Sequence, residues 1–304
     1  MRTVRTTCSY CSVGCNFNAT INDDGSVASF MPDKEYPVNL GKSCPKGFHL
    51  LKAFQAEDRL KTPLLRNSEG LLEAVSWDEA LTAFVAAFKK VRTEHGPESA
   101  AFLSTGQMPL EEMAFLGALF KFGMGFVHAD GNTRQCMATA AVAYKQSFGF
   151  DAPPFSYTDF EESDLMIFVG ANPVISHPVM WNRVKMNRAG ADIIVIDPRR
   201  SKTADQASLH LPVSPKGDLA LLYSVANVLI AEEWTDRRFI EDHTEGFEEF
   251  ARHVAAFEPE KAAERSGISP DAIRDLAKRI HRAKAVSIWW TMGVNQSHQA
   301  VRTA

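Results

Sequence analysis

Four of the five cysteines in this 304-residue chain lie within its first 44 positions. Cys8, Cys11 and Cys15 follow a C-x2-C-x3-C pattern, and Cys44 comes after 28 intervening residues, directly before Pro45. A tight loop with thiols at that spacing points several sulfurs at one centre, and the distant fourth closes the cage. Four thiolates suit tetrahedral zinc or a cubane iron–sulfur cluster. Zinc ribbons usually present two separate C-x2-C knuckles, which are missing here. The spacing therefore favours iron–sulfur, with zinc and unligated thiols as the alternatives. Lys46, two residues past Cys44, is either a solvated surface lysine or a cation set between the cluster and a second redox centre.

The fifth thiol, Cys136, stands alone in "GNTRQCMATAAVAYK". A free cysteine is most often a small buried apolar residue. Here a polar loop precedes it and a helix begins at or near it. The positive end of a helix dipole favours a thiolate at such a position, which gives the residue a functional reading as well.

The elements that position these thiols follow from pattern. Alternation in "NATI" and "SVASF" around the turn "NDDGS" predicts a β-hairpin, so residues 1 to about 55 form a small β-rich cap. Ser76, with Glu79 three residues on, predicts the N-cap of an amphipathic helix over "WDEALTAFVAAFKKVRTEHG". "SAAFLSTGQ" reads as a strand entering a loop, and "PLEEMAFLGALFKFGM" as the next helix. "DLMIFVGANP", a helix through "PVMWNRVKMNRAG" and "ADIIVIDPRR" make a βαβ unit. A short strand, a loop and a helix follow in "LHLPVSPKGDLALLYSVANVLIAEEW". Residues 236–280 are mostly helical, and "AVSIWWTMGVNQSH" supplies a last strand and loop.

The fold class is thus α/β, a small β-rich domain followed by parallel-sheet α/β domains. In such sheets ligands gather at loops beyond the carboxyl ends of strands. Four loops qualify: "STGQ" after residue 103, "VGANPVISHP" from 169, "IDPRRS" from 196 and "TMGVNQ" from 291. None carries G-x-G-x-x-G or a P-loop, which weighs against a nicotinamide or simple nucleotide-hydrolysis function. Asp197 can accept from ribose hydroxyls, Arg199 can pair with a phosphate, and Gly217 and Asp218 can meet a base. Each is more often a solvated loop residue, but their recurrence at successive strand ends suggests a large nucleotide-bearing ligand.

Composition bounds the rest. A hydrophobic share of 45%, a charged share of 23% and a net charge of −4 describe an ordinary globular chain with no dense basic run, so nucleic acid is not an expected partner. No apolar stretch approaches the roughly 18 residues of a membrane span. The first thiol at residue 8 leaves no room for an export leader, and a cytoplasmic location is expected.

Taken together, the cysteine cluster with "CPKG", then "SWDEAL", "NTRQCMATAAVAYKQSFG", "VGANP", "IDPRR", "KGD" and "TMGVNQ" resemble the molybdopterin-dinucleotide oxidoreductases, in family order over nearly the whole chain. The resemblance implies a [4Fe-4S] cluster on Cys8, Cys11, Cys15 and Cys44. It implies Lys46 on the electron path and Cys136 as the protein ligand to molybdenum in Mo-bis(molybdopterin guanine dinucleotide). Gln107, Asn132, the loop Val169–Gly170–Ala171–Asn172 through Ser176, the turn Asp197–Ser201 with Arg199, Lys216–Gly217–Asp218, and Met292 with Gln296 would contact the two dinucleotides. The implied division is 1–55 for the cluster domain, 56–141 for part of a cofactor domain resuming at about 288–304, and 142–287 for a Rossmann-like dinucleotide-binding domain.

Formate dehydrogenases of the family typically place histidine after the metal-binding residue. Met137 here is similar to assimilatory nitrate reductases. The resemblance therefore implies nitrate reduction to nitrite by oxygen-atom transfer, with electrons from a donor protein or subunit and formate oxidation as the alternative. Arg134 or His177 would steer the anion, unless they are a surface arginine and a packed histidine. The chain stops inside an apparent helix where relatives continue, so an inactive truncated fragment that binds only the iron–sulfur cluster is a further expectation.

Overall fold

The structure, a computed structural model, describes residues 1–11 and 13–304. It divides into two compact units, Met1–Arg134 and Gln135–Ala304.

The first unit opens with an antiparallel sheet of β1 (Arg2–Thr7), β2 (Asn16–Ile21) and β3 (Val27–Pro32). The expected hairpin is β2–β3, closed by Asn22 N–H donating to Ser26 O at 2.8 Å with Gly25 at a φ of 83°. β1 is a strand that the sequence pattern did not signal. Phe17, fully buried, stacks on Phe30 with ring centroids 4.5 Å apart, which gives the sheet its apolar anchor. Two short strands, β4 (Leu64–Arg66) and β5 (Leu72–Ala74), form a second, unanticipated hairpin.

The helix Trp77–His95 begins with a full capping box between Ser76 and Glu79. β6 (Ala101–Ser104) pairs in parallel with β7 (His128–Gly131), and the helix Leu110–Ala118 runs between them. Stacking of Phe102 on Phe120 and of Phe88 on Phe126 joins these pieces. No residue from 51 to 134 is fully buried. Leu103 and Phe122 are 80% and 81% exposed, and the apolar stripe Trp77, Leu81, Phe84 and Val85 of the long helix stays exposed too.

The second unit has a dense core. Its sheet has the order β10 (Leu209–Leu211), β9 (Asp192–Ile196), β8 (Leu165–Val169) and β11 (Val286–Trp290), every pair parallel. All five residues of β8 are buried, as a central parallel strand covered on both faces requires. Leu165, Ile167 and Val169 face Leu221, Ile273 and Leu276 from helices Asp218–Ala231 and Pro270–Arg282. Met166 and Phe168 face Met180, Trp181 and Val184 from helix Pro178–Lys185. The alternation of β8 thus feeds two cores.

The capping box is a local device whose removal is measurable. Ser76→Ala is expected to weaken the start of helix Trp77–His95 by about 1 kcal/mol, seen as faster amide exchange over its first turn, with Ser76→Asp restoring protection. Equal exchange in all three proteins would show that the box contributes nothing.

Candidate functional site

The thiols of the first unit sit where strands end. Cys8 follows β1 and Cys15 precedes β2, and Cys8 N–H donates to Cys15 O at 2.8 Å, so closing the β1–β2 pair brings the loop's ends together. Gly14, at a φ of 70°, turns the loop. Cys44 is the N-cap of the short helix Pro45–Phe48, with Pro45 in its first position. A Cβ on Gly47 would strike Ser43 Oγ and approach Phe17 Cζ to 3.0 Å, so this turn lies directly on the sheet. Asn39, buried, receives Asn16 N–H at 3.0 Å and donates to Asn16 O and Lys42 O, which ties the segment leading to Cys44 back to β2.

All five cysteines are free thiols. Burial, and after it the nearby Cys11, Cys8 and Cys44, push the Cys15 thiol up to about 12. Burial also raises Cys8, with Cys11 and Cys44 adding to it, while the Lys46 ammonium pulls the other way. The four thiols are therefore close enough to feel one another's charge, and Lys46, itself exposed, is close enough to act on Cys8. No three His, Cys, Asp or Glu side chains among the described residues are placed to hold a single ion. A cluster with several irons distributes its bonds over separate atoms and does not need such convergence. A cavity of about 580 Å³ opens beside Cys8 and Cys11 and is also lined by Tyr36, Gln107 and Met108.

Gln107 and Asn132 leave the carboxyl ends of β6 and β7. Asn132 N–H donates to Ser104 O at 3.1 Å, and its Oδ1 accepts from Gly106 N–H at 3.2 Å, so the two loops are joined. Of the four loops singled out in the sequence, "STGQ" belongs to this small sheet. The other three share the carboxyl edge of the four-stranded sheet.

At that edge the chains leaving β8 and β11 cross at two glycines. Gly170, at a φ of 53°, could not carry a Cβ, which would lie 2.8 Å from Gly293 Cα, and a Cβ on Gly293 would lie 2.6 Å from Gly170 Cα. Gly293 N–H and the Thr291 hydroxyl both donate to Gly170 O, at 3.2 and 2.9 Å. Val169 ends β8, and Ala171 is buried in the core just beyond. Asn172 Oδ1 accepts from the amide and hydroxyl of Thr203, which fixes the loop to the turn after β9. Ser176, exposed, donates to Asn172 O, and its hydroxyl lies 2.8 Å from His177 Nδ1. The His177 ring meets Trp289 edge-on at 4.9 Å, and Arg134 pairs with Asp130 at 2.7 Å.

Asp197 closes β9, its Oδ1 accepting from Arg199 N–H at 2.8 Å while the Arg199 side chain is left exposed. Lys216 holds a left-handed φ of 69°, and a Cβ on Gly217 would collide with Ser214 O and Ser266 Cα, both at 2.8 Å. Asp218, buried, opens the helix Asp218–Ala231. Burial first, and the Asp197 carboxylate after it, raise the Asp218 carboxyl above its ordinary range. Two carboxylates close enough to act on each other's charge suit a ligand rich in N–H and O–H donors, as a nucleobase and ribose are.

Cys136, half-buried, is the third residue of helix Arg134–Phe148. Its Sγ donates to Met292 Sδ at 3.5 Å, and Gln296 Nε2 stands 4.0 Å from it. Two residues that the sequence reading passed over join them. The Thr139 hydroxyl donates to Asn295 O at 2.7 Å, and Asn295 Nδ2 donates to Met137 Sδ at 3.3 Å. Thr139 was visible only as a polar residue one turn after Cys136, and Asn295 only as a member of "TMGVNQ". "TMGVNQ" is also not plain loop, since Met292–Asn295 forms a helical turn.

These features belong to a known family. Residues 59–303 match the molybdopterin oxidoreductase family, and residues 1–55 match the molybdopterin oxidoreductase Fe4S4 domain. The chain is a member of the molybdopterin oxidoreductases, and its cofactors are molybdopterin-bound molybdenum and a [4Fe-4S] cluster. It is 39% identical over 96% of its length to a nitrate reductase of Symbiobacterium thermophilum, of which it spans 40%. It is 34% identical over 96% of its length to a formate dehydrogenase alpha subunit of Methanococcus maripaludis, of which it spans 43%. The structure of acetylene hydratase from Pelobacter acetylenicus covers 98% of the chain with a TM-score of 0.85 at 26% identity, the match taking in 41% of that protein. The chain thus spans about two fifths of the proteins it matches. They are named for three different reactions on one scaffold.

The residues present fit both groups. Thiols that resist ionisation by themselves become good ligands beside metal cations, and the polar groups at the carboxyl edge of the sheet would suit a molybdopterin cofactor. Gly170→Ala is expected to cost about 1–3 kcal/mol from the left-handed backbone alone and to shift the crossing, with Gly293→Ala weakening it without that backbone strain. Denaturation at wild-type midpoints for both would show that the crossing tolerates a methyl group.

Asp218 gives a pH test. Its folded carboxyl holds a proton more tightly than the unfolded one, so its contribution is intact below the ordinary carboxylate range and is lost as pH rises through the elevated folded value. Asp218→Asn is therefore expected to raise the thermal midpoint at pH 7 and leave it unchanged near pH 3. An equal rise at both pH values would remove the charge as its cause.

Proposed function

We propose that this chain is the N-terminal part of a molybdenum-dependent enzyme that reduces nitrate to nitrite. Nitrate takes up two electrons and two protons and leaves as nitrite and water. When bound, the iron–sulfur cluster supplies one-electron transfer and the molybdenum centre supplies two-electron oxygen-atom transfer. The protein's own residues position and tune. Cys8, Cys11, Cys15 and Cys44 hold the cluster, with Lys46 setting a cation beside it. Cys136 provides the thiolate to molybdenum. Asp197, Arg199, Lys216, Gly217, Asp218 and the 169–176 loop hold the guanine dinucleotides of a bis-molybdopterin cofactor, together with Met292, Gln296, Gln107 and Asn132.

The observation that carries the reading is the Cys136 thiol at the start of its helix, beside Met292 and Gln296. Its neighbour Met137 favours nitrate over formate. Formate oxidation is the second reading, supported by the Methanococcus maripaludis relative. No helix among the described residues is long and apolar enough to cross a membrane. We place the enzyme in the cytoplasm, with an electron-donor protein or subunit as its partner.

The complete enzyme containing this chain is expected to oxidise reduced viologen with nitrate and to leave formate-dependent dye reduction at background. Cys136→Ala is expected to lose more than the roughly 100-fold that removal of an outer-shell partner costs a metal site. Formate-dependent dye reduction without nitrate turnover would replace the first reading by the second.

A further inference from the structure

We propose that Thr139 and Asn295 form a latch that sets where the Cys136 thiol stands, a positioning role that rests on the reading of Cys136 as the metal ligand. Thr139 lies one turn after Cys136, so the two share a helix face. A threonine inside a helix ordinarily turns its hydroxyl back to a carbonyl of its own helix. Here it donates across to Asn295 O at 2.7 Å, satisfying a carbonyl at the open end of the turn Met292–Asn295. This is the shortest polar contact between the 292–296 segment and the helix. The contacts at Cys136 itself, to Met292 Sδ at 3.5 Å and Gln296 Nε2 at 4.0 Å, are weaker sulfur interactions that Thr139 brings into range.

Asn295 extends the latch to the next residue. It is 5% exposed, its Nδ2 donates to Met137 Sδ at 3.3 Å, and its Oδ1 is buried without a partner. An unpaired buried amide oxygen is destabilising, and one N–H···S contact does not offset that. A leucine would serve the core better. What the amide does is fix the sulfur of a side chain with three free rotations, directly beside the thiol. On its other side the same segment is held to β8 by the Gly170–Gly293 crossing. The thiol's place relative to the sheet edge is therefore set by two anchors, one of them glycine backbone and the other this latch.

The test uses the complete enzyme with Thr139→Val, Thr139→Ser and Met137→Leu. The readouts are molybdenum content per chain, the Mo(V) paramagnetic resonance line, and the iodoacetamide alkylation rate of Cys136 in cofactor-free protein. Thr139→Val is expected to change the alkylation rate about tenfold and to lower molybdenum retention by a similar factor, with the Mo(V) line split or broadened. Thr139→Ser is expected to restore all three, and Met137→Leu to shift the Mo(V) line alone. A Thr139→Val protein with wild-type alkylation rate and Mo(V) line overturns the latch, as does a folded Thr139→Ser protein as defective as the valine variant. If the valine variant does not fold, an unchanged Mo(V) line in Met137→Leu overturns it. Wild-type enzyme without molybdenum would instead sink the assignment of Cys136 to the metal, and the alkylation rates would still decide the latch.

Discussion

Between β8 and β11 the chain leaves the sheet through two glycines whose backbones touch. The Gly170 carbonyl takes both the Gly293 amide and the Thr291 hydroxyl, and neither glycine has room for a Cβ. This contact turns the segment after β11 so that Met292, Asn295 and Gln296 reach the helix that bears Cys136. It also fixes the start of the 169–176 loop, which Asn172 then ties to Thr203 after β9. The whole carboxyl edge of the sheet is in this sense built outward from one backbone crossing. Its precision rests on the absence of side chains, and the two dense cores beneath it keep the strands from shifting to relieve the crowding.

The groups assigned to cofactors share an electrostatic predicament. Cys15 is pushed up to about 12 by burial and by its sister thiols, and Asp218 is raised by burial and by Asp197. Each set is poorly placed to carry its charge in the protein alone. Metal cations would answer the thiols, and hydrogen-bond donors would answer the carboxylates. The Asn39 network serves the first set by tying the segment before Cys44 to β2, and Lys46 sets a positive charge near Cys8; the left-handed Lys216 and the crowded Gly217 lie directly before Asp218. Such concentrations of unfavourable local chemistry are characteristic of functional sites.

How much of this was legible in the sequence follows the range of the interactions. The capping box at Ser76, the β2–β3 hairpin and the βαβ unit around Pro178–Lys185 rest on residues a few positions apart, and local pattern revealed them. β1 was hidden because "RTVRTT" holds a single apolar residue, Val4, and offers no apolar face. The β4–β5 hairpin carries too little alternation to stand out. Strand-end loops were recognisable one by one, but which of them share an edge is a matter of sheet order, and "STGQ" proved to stand on β6–β7. Thr139 and Asn295 are 156 positions apart, and nothing in either neighbourhood announces the other. The long amphipathic helix promised a buried stripe that the structure leaves exposed.

The arrangement of β1, β2 and the short helix at Cys44 also orders events during synthesis. Chains emerge from the ribosome amino end first. β1 and β2 can pair as soon as residue 21 is out, and that pairing gathers Cys8, Cys11 and Cys15 into one loop. Cys44 lies beyond β3 and beyond Asn39, whose side chain accepts from Asn16 N–H, so it is the last of the four to emerge. For that interval the nascent polypeptide carries three of the four clustered thiols without the fourth.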